Sequence, residues 1–560
     1  MMQCSGILAN AAMIRSKLLQ IPMLCGSIGC DKRKKVVSSL FIRMHSTDGY
    51  KSIGSFHSDD VEELMRLSDD DYTAPDLPFE KESVQIPTLS PAADSFANSG
   101  KFSNAYSHLD RNQWSFLNHG AFGLALDVGL TRAHSWRMFL ESQPLRYFDR
   151  FLLNHLAHSA RSLVDFVATE DKEKMRESIS LVSNVTGGMN AVIGGHARCH
   201  GNSKVFYFDI GYGSNKKMCQ TYHGKENAIE IPFEEDFLPL LQRIQSTSNT
   251  EDNNFDPHAT EVFQTALDAS IYNLTKECKH SKSSLAGSLL LLDHITSNTA
   301  IHTPVMSLAK HAKEEYGMIV AVDGAHSLLS LPLEMSNILS DSSDGKKGVD
   351  VYLTNCHKWF SSPRGAAALF CSNTTLQESI LRQPAVVSHG IDDGFLSRFL
   401  WDGCRDYAAE LSIPAITDFW NAVDVSNVRH DMKNNLKEGI RILIQHWHPG
   451  VCSGGGDDAD MTCIEQNSAE AGLTLVPLHL HAPMMVLVRL PDHLSGRIDL
   501  NNNDRKTSTD AKRVQDYLYS RNCEVPVKCV RGVLFCRVSC HLYNTAEDFD
   551  RLGRIALEIP

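Results

Sequence analysis

The sequence predicts an α/β protein with a mostly parallel sheet that carries helices on its faces. Two features lead to this fold class: continuous apolar runs of buried-strand length, and helical patterns between them. The segment "PVMSLAKHAKEEYG" (Pro304 to Gly317) has helical spacing and ends in glycine. The apolar runs are "GSLLLLDHI" (Gly287 to Ile295), "MIVAVDGAHS", whose strand ends at Asp323, "VDVYLTN" and "AAALF". Functional groups are expected where these strands end.

Length, composition and charge restrict the class of protein. The chain has 560 residues, which predicts a large domain with a smaller one or with extensions. A net charge of -13 and the lack of a nucleic-acid motif argue against a nucleic-acid partner. No apolar run approaches the roughly 20 residues that cross a bilayer, so no membrane association is predicted. The 15 cysteines form no CxxC pair and no zinc-type spacing, which favours reduced thiols in the cytosol or an organelle matrix and predicts no metal site.

The first 58 residues differ from the rest of the chain. They contain eight basic residues against two acidic ones, with a helical recurrence of apolar residues from Ile7 to Ile21. This pattern is typical of a mitochondrial transit peptide, and the alternative is a disordered cytosolic tail. Residues 59–100 follow as an acidic, Pro-containing linker. The basic residues are Arg15, Lys17, Lys32, Arg33, Lys34, Lys35, Arg43 and Lys51.

An amine and a carboxylate are predicted to share one crevice. Asp323 ends one predicted strand, and Lys358 lies just past the end of another. An ordinary ion pair would explain both, but His326 and His357 add polar groups at the same strand ends. A lysine with a lowered pKa can form a Schiff base with pyridoxal 5′-phosphate (PLP), while a carboxylate keeps its pyridine ring protonated. The sequence therefore indicates a PLP site.

A phosphate cradle is predicted in "LVSNVTGGMNAVIGG". A strand end is followed by the turn Thr186, Gly187 and Gly188 and then by a helical pattern. Free N–H groups at a helix start bind phosphate well. Taken alone, a Gly-Gly turn before a helix is more often only a turn.

Five motifs in order resemble a known family. They are "HITSNTAIHTP", "VDGAH", "NCHKW", "WDGCRDYAAELSIPA" and "CRVSCHLYNTAEDFDRL". Over roughly residues 110 to 555, the chain resembles class V aminotransferases, in the branch of isopenicillin N epimerases, cysteine desulfhydrases and related C–S lyases. The resemblance implies a homodimer of fold type I subunits. It also implies a large PLP-binding domain with a seven-stranded sheet, expected over residues 101–405, and a small α+β domain, expected over residues 406–560.

The resemblance also implies roles for the residues of the cofactor site. Lys358 is expected to form the Schiff base and carry the proton at Cα. Asp323 is expected to hold the pyridine nitrogen, and His326 to bond the phenolic oxygen. The expected phosphate ligands are the Val185 N–H, Thr186, Asn355 and His357.

Four further residues are carried over from the family. Tyr212, in "FDIGYGS", falls where the family places an aromatic or histidine ring against the cofactor; the alternative is a core tyrosine. Arg537 is expected to bind the substrate carboxylate through a bidentate fork, and the alternative is a surface arginine. Asn118 and His119, in "FLNHGAFG", are candidate contacts at the substrate entrance.

One residue departs from the family pattern. In "WDGCRD" the family usually has Gly-Thr, and that threonine reaches the cofactor phosphate of the neighbouring subunit. Cys404 stands there in this chain. A thiol is a weaker donor than a hydroxyl, so backbone N–H groups must suffice or the contact between subunits is weakened.

The expected reaction is C–S β-elimination on a small amino acid. Epimerisation and transamination start from the same carbanion and stay open, as does a catalytically silent PLP-fold binding protein. A persulfide-forming desulfurase would need a cysteine on a mobile loop, for which Cys452 is the candidate. A nicotinamide dehydrogenase lacks the required G-x-G-x-x-G motif.

Overall fold

A mostly parallel sheet of seven strands lies at the centre of the part of the chain that the structure describes. The computed structural model describes residues 59–89, 95–244, 255–278, 285–339, 348–449, 469, 471–496 and 505–560. The predicted α/β fold class is confirmed. The predicted transit peptide lies outside the described residues, as does Cys452.

The strands are short, and those of the central sheet are rich in Val, Ile, Leu and Phe. Such residues suit strands that are buried on both faces. The strands are β1 Ser115–Phe116, β2 Ile179–Val182, β3 Val205–Phe208, β4 Ala228–Ile231, β5 Leu289–Asp293, β6 Ile319–Asp323, β7 Val351–Asn355, β8 Ala367–Phe370, β9 Met485–Arg489, β10 Cys523–Glu524, β11 Val527–Val530 and β12 Val533–Ser539.

The strand order of the central sheet is β2-β8-β7-β6-β5-β3-β4. Strands β7, β6, β5, β3 and β4 pair in parallel, whereas β8 runs antiparallel to both of its neighbours. Asp293 of β5 pairs in register with Asp323 of β6, and Asp323 pairs with Leu353 of β7. The carboxyl ends of β5, β6 and β7 therefore meet at one edge of the sheet.

Helices connect the strands and pack on the sheet. The longer helices are α1 Asp59–Arg66, α2 Asp127–Ser142, α3 Leu152–Val167, α4 Lys172–Ser178, α5 Val185–His200, α6 Gly213–His223, α7 Pro257–Cys278, α8 Val305–Tyr316, α9 Ile413–Val423, α10 Val425–Trp447, α11 Ser508–Ser520 and α12 Ala546–Leu557. Shorter helical turns span His119–Phe122, Pro144–Arg146, Phe233–Asp236, Leu238–Leu241, Met335–Ile338, Thr374–Glu378, Phe395–Leu400, Ala408–Leu411 and Asp492–Ser495. Turns of 3₁₀ or π type span Ser99–Tyr106, Tyr147–Phe151, Ile380–Arg382, His389–Asp392 and Leu478–Leu480.

A second, antiparallel sheet has the order β11-β12-β9. Its two faces belong to different buried clusters because side chains alternate along each strand. Leu534, Cys536 and Val538 pack with α10 and α12 residues, whereas Val533 and Phe535 join the cluster around the central sheet. The short strands β1 and β10 pair in parallel. The two-domain division at residue 405 stays a prediction.

The segment predicted as a linker contains packed structure. Val61 and Met65 of α1 are buried in the main cluster. Arg132 of α2 donates two hydrogen bonds to the Glu82 carboxylate, at 2.8 and 2.7 Å, and this ion pair is also buried. Residues 59–89 therefore lie against the folded body of the chain.

Candidate active site

The predicted crevice at the carboxyl ends of the strands contains a buried carboxylate. Asp323 is 4% exposed. Asn215 donates from Nδ2 to its Oδ2 at 2.7 Å, and the Ala325 N–H donates to its Oδ1 at 3.0 Å. Burial raises the pKa of Asp323, while these two donors and the Lys358 charge act in the opposite direction. Each carboxylate oxygen retains a lone pair for a further donor.

Lys358 and His326 face each other in the same crevice. Lys358 lies in the turn after β7, and its Nζ is 3.0 Å from Nε2 of His326. Burial lowers the pKa of Lys358 to about 8, against the opposing effect of Asp323. Burial, and then the Lys358 charge, hold the pKa of His326 well below its usual value, so this ring is neutral. Its Nδ1 is buried and makes no hydrogen bond to any described residue.

The "NHGAFG" segment contacts the backbone of the turn that carries Lys358. His119 is fully buried, and its Nε2 donates to the Lys358 carbonyl at 3.0 Å. The other nitrogen, Nδ1, then accepts from the Tyr543 hydroxyl at 2.8 Å. Gly123 has a φ of +67°, and a Cβ there would lie 1.9 Å from the His357 carbonyl oxygen. Both ring nitrogens of His119 are thus used by the protein itself.

The predicted phosphate cradle forms the start of α5. Asn184 caps this helix by accepting from the Gly187 N–H at 2.8 Å. The Val185 N–H donates to Oδ1 of Asn355 at 3.1 Å, so these two predicted phosphate ligands are bonded to each other. The Thr186 hydroxyl bonds to none of the described residues. Gly188 allows a close approach to β7, since a Cβ there would lie 2.2 Å from Cδ2 of Leu353.

Two further predicted cofactor residues lie beside this cradle. Tyr212 directly precedes α6 and is exposed, and its N–H donates to both oxygens of Asp293, at 3.2 and 3.3 Å. His357 immediately precedes Lys358, and its Nδ1 is buried with no hydrogen-bond partner among the described residues. Burial lowers the pKa of His357 to about 4. His357 is therefore neutral at pH 7, although a hydrogen bond with the Ala366 backbone opposes this lowering of its pKa.

The predicted carboxylate-binding arginine lies on β12. Arg537 is 3% exposed, and burial lowers its pKa to about 10, so it remains a cation. One Nη donates to the Ser297 carbonyl, while Nε has no partner among the described residues. The positive charge of Arg537 also lowers the pKa of Lys358 and of His326, which places it electrostatically within the site. Asn118 donates from Nδ2 to Glu524 at 3.0 Å, and its own Oδ1 is without a partner there.

Comparison with known proteins finds a family match and several relatives. A model of the aminotransferase class-V family matches residues 275–391, which include Asp323, His326 and Lys358. In this segment the chain is similar to the class V aminotransferase family. A curated relative is the L-cysteine desulfhydrase of Arabidopsis thaliana, 25% identical over 79% of this chain and 87% of the relative. A second, the probable chloroplastic L-cysteine desulfhydrase of that plant, is 24% identical over 63% of this chain and 68% of the relative.

Solved structures share the fold of this chain. The cystine C–S lyase C-DES, in complex with its reaction product cysteine persulfide, has a TM-score of 0.53 and 16% identity, over 80% of this chain and 99% of that one. The cysteine desulfurase of Thermococcus onnurineus NA1 has a TM-score of 0.54 and 13% identity, over 85% of this chain and 98% of that one. Identities this low show the fold alone. That fold is fold type I, as predicted.

The matched family is PLP-dependent. The side chains present fit this group. Asp323 has lone pairs for a pyridinium N–H, and His326 and His357 each offer an unused ring nitrogen. At the start of α5 the Thr186 hydroxyl is available to a phosphate, whereas the Val185 and Gly187 N–H groups already donate to Asn355 and Asn184.

Two residues of the site were not predicted from the sequence. Asp293 ends β5 and pairs with Asp323, and a signal existed because each is an acid at the end of an apolar run. Burial, and then the Asp323 charge, raise the pKa of Asp293 well above its usual value. Asn215, which donates to Asp323, had no signal, since it is one of several polar residues in "GYGSNKK".

Two searches cover the described residues only. In those ranges, no helix is both long and apolar enough to span a bilayer. The same ranges contain no group of three or more His, Cys, Asp or Glu side chains arranged to hold a metal ion.

Proposed function

We propose that this enzyme catalyses PLP-dependent β-elimination at the C–S bond of L-cysteine or of an S-substituted cysteine. The amino acid and one water give pyruvate, ammonia and sulfide or the corresponding thiol. The observation that carries this proposal is the buried Lys358 amine, which lies 3.0 Å from His326 and whose pKa burial lowers to about 8. The names of two plant relatives, both L-cysteine desulfhydrases, support the choice of substrate.

The residues divide the work among binding, orientation and proton transfer. When bound, PLP supplies a ring that accepts electrons from Cα. Asp323 accepts the pyridine N–H in a charge-assisted hydrogen bond, and Arg537 binds the substrate carboxylate. Lys358 takes the proton from Cα and then supplies a proton to the departing sulfur. The lowered pKa of Lys358 suits this dual role, because a group whose pKa lies near neutral pH can both accept and donate a proton efficiently.

The phosphate end of the site is assigned to the strand ends around α5. The Thr186 hydroxyl and the start of α5 bind the phosphate, together with Asn355 and His357. Tyr212 covers the ring face. His119 holds the turn that carries Lys358, and both of its ring nitrogens already bond to the protein. Asn118 contacts the substrate at the entrance of the site.

Product analysis tests the reaction type. With L-cysteine, wild-type protein should release sulfide and pyruvate in equal amounts, and Lys358→Ala should release neither. Lys512→Ala, which changes an exposed lysine paired with Asp516 on α11, is the matched control. Alanine with protein-bound persulfide would instead indicate a desulfurase. Racemised cysteine with Cα proton exchange would indicate an epimerase, and a keto acid without sulfide would indicate an aminotransferase.

The colour of the purified protein tests the alternative of a catalytically silent PLP-fold binding protein. Purified protein should be yellow and lose its colour with borohydride. Protein that stays colourless after added PLP would contradict the enzyme assignment and support a binding protein.

We also infer a homodimer. Between residues 122 and 145, large apolar side chains are exposed: Phe122 by 64%, Met138 by 57% and Leu145 by 74%. A second copy of the chain would cover this surface next to the "NHGAFG" segment and would bring Cys404 towards the neighbouring cofactor. The double variant Phe122→Ser with Leu145→Ser should shift the mass measured by light scattering from dimer to monomer. Leu557→Ser, at an exposed apolar residue on α12, is the control and should leave this mass unchanged. A wild-type protein that is monomeric would contradict the inference.

We further infer import into mitochondria through residues 1–58, on the basis of their eight basic and two acidic residues. A fluorescent fusion of the full chain should enter the organelle, and a fusion that lacks residues 1–58 should not. The plant relative is described as chloroplastic, so both organelles should be imaged. An unchanged distribution after the deletion would refute import through this segment.

A further inference from the structure

A second cation stands beside the carboxylate-binding arginine. Lys528 of β11 pairs with Phe535 of β12 in the antiparallel sheet, so Arg537 is its diagonal neighbour. Diagonal neighbours on one face have Cα atoms about 7–8 Å apart, within reach of long side chains.

The alternation of the strands places both cations on the same face. Val527 lies with Leu534 and Cys536 in the cluster of the smaller sheet. Val530 and Phe535 lie in the cluster around the central sheet. Lys528 lies two residues from Val530 on β11, and Arg537 lies two residues from Phe535 on β12. Each cation therefore points to the same face as that neighbour. Both therefore face the buried cluster around the central sheet.

Lys528 has no acidic partner among the residues that the structure describes. It forms no ion pair and no side-chain hydrogen bond with any of the described residues, and it is partly buried. Burial, and then the Arg537 charge, lower the pKa of Lys528 to about 8, so the protein destabilises its charged form. Two adjacent cations without a carboxylate between them form a ready binding place for an anion.

We propose that Lys528 binds a second anionic group of the substrate and makes the site selective for cysteine conjugates whose sulfur carries an acidic substituent. The proposal rests on the proposed C–S elimination. Arg537 takes the carboxylate on Cα, and Lys528 takes the acidic group beyond sulfur. Such conjugates, of which S-carboxymethyl-L-cysteine is a simple example, place two anions on one flexible chain.

The chemistry balances with water as the only co-reactant. The bond between Cβ and sulfur breaks, and the sulfur leaves with the bonding electron pair and gains a proton. The three-carbon part takes up water, loses ammonia and becomes pyruvate. S-Carboxymethyl-L-cysteine therefore gives thioglycolate, pyruvate and ammonia, without any oxidant or reductant.

Selectivity between two probes tests the proposal. For wild-type holoenzyme, kcat/KM for pyruvate release should be about tenfold to a hundredfold higher with S-carboxymethyl-L-cysteine than with S-methyl-L-cysteine, because a charge-assisted hydrogen bond is gained. Lys528→Met should remove most of this ratio, and Lys528→Arg should retain it. Lys512→Met, on helix α11, is the control for the loss of a lysine outside the proposed subsite.

Binding without turnover separates this proposal from the proposed function. Each probe is titrated into holoenzyme, and its dissociation constant is read from the change in cofactor absorbance. If neither probe releases pyruvate but the acidic one binds more tightly to wild type than to Lys528→Met, elimination fails while the anion subsite stands. Equal wild-type affinities for the two probes overturn the subsite, whether or not any variant folds. An equal loss with both probes in Lys528→Met overturns it too, since Lys528 would then serve only the Cα carboxylate.

Discussion

At the scale of single residues, the site depends on how burial changes the charge of a few groups. Lys358 loses part of its preference for the protonated form because the crevice excludes water. His326, at 3.0 Å, stays neutral and accepts from the amine without repelling it strongly. The result is a nucleophilic amine at a pH where an exposed lysine would be fully protonated.

The pH dependence of cofactor capture follows from this shift. Only the neutral amine attacks an aldehyde, and the pKa of Lys358 is lowered from 10.5 to about 8. The rate at which apoprotein captures PLP should rise with pH up to about 8 and then level off. Stopped-flow absorbance measures this rate, with Lys358→Ala as the control for non-covalent uptake. A rate that keeps rising up to pH 10.5 would show that the amine is not shifted.

The partner of the cofactor ring gives a second prediction. Asp323→Asn preserves the shape of the side chain but removes the negative charge. We expect kcat to fall roughly tenfold to a hundredfold, because a charge-assisted bond worth about 1.5–3 kcal/mol is lost. The protein should remain yellow, because Lys358 is intact. Unchanged activity would exclude Asp323 as the ring partner, and Asn215→Ala tests the support of this carboxylate in the same assay.

At the scale of elements, the site is built where segments distant in sequence approach one another closely. The "NHGAFG" turn packs against the backbone of the Lys358 turn, and this is possible only because residue 123 has no Cβ. The start of α5 packs on β7 in the same manner at Gly188. Both glycines were visible in the sequence, but the strand or turn that each one contacts was not.

The contact at Gly123 is open to a direct test. Gly123→Ala would place a Cβ 1.9 Å from the His357 carbonyl oxygen at a φ of +67°, so the turn must move. We expect the free energy of unfolding to fall by about 1–3 kcal/mol, together with weaker PLP binding. Urea unfolding and cofactor titration measure the two effects. Gly201→Ala, also at positive φ but with open space around it, is the matched control and should leave PLP binding unchanged.

At the scale of the whole molecule, residues 59–89 are fastened to the body that holds the site. The Glu82 and Arg132 side chains form a bidentate ion pair and are only 9% and 5% exposed. Val61 and Met65 add apolar burial at another point of the same segment. The acidic, Pro-containing composition predicted a linker because composition reports average solvation and cannot reveal which carboxylate finds a buried partner.

Removing one partner of this ion pair should be costly. Glu82→Ala leaves the Arg132 charge buried and unpaired, so the free energy of unfolding should fall by about 3–5 kcal/mol. Glu177→Ala removes a carboxylate from an exposed pair with Arg66 and should change it by about 0–1 kcal/mol. Chemical denaturation gives both values. Equal changes in the free energy of unfolding for the two variants would show that burial adds nothing to the contribution of the Glu82 ion pair.

The sequence by itself determined the fold class and predicted the chemistry at the strand ends, because both depend on local patterns. Apolar runs of strand length, a glycine-rich helix start and the order of "VDGAH" before "NCHKW" are all readable without coordinates. The tertiary structure alone decided which side chains meet. The pairing of Asp293 with Asp323, the bond from His119 to the Lys358 carbonyl and the neighbourhood of Lys528 and Arg537 each depend on strand register or on contacts across the chain. Register is set by packing of the whole molecule, and a shift of one residue would turn these side chains to the opposite face.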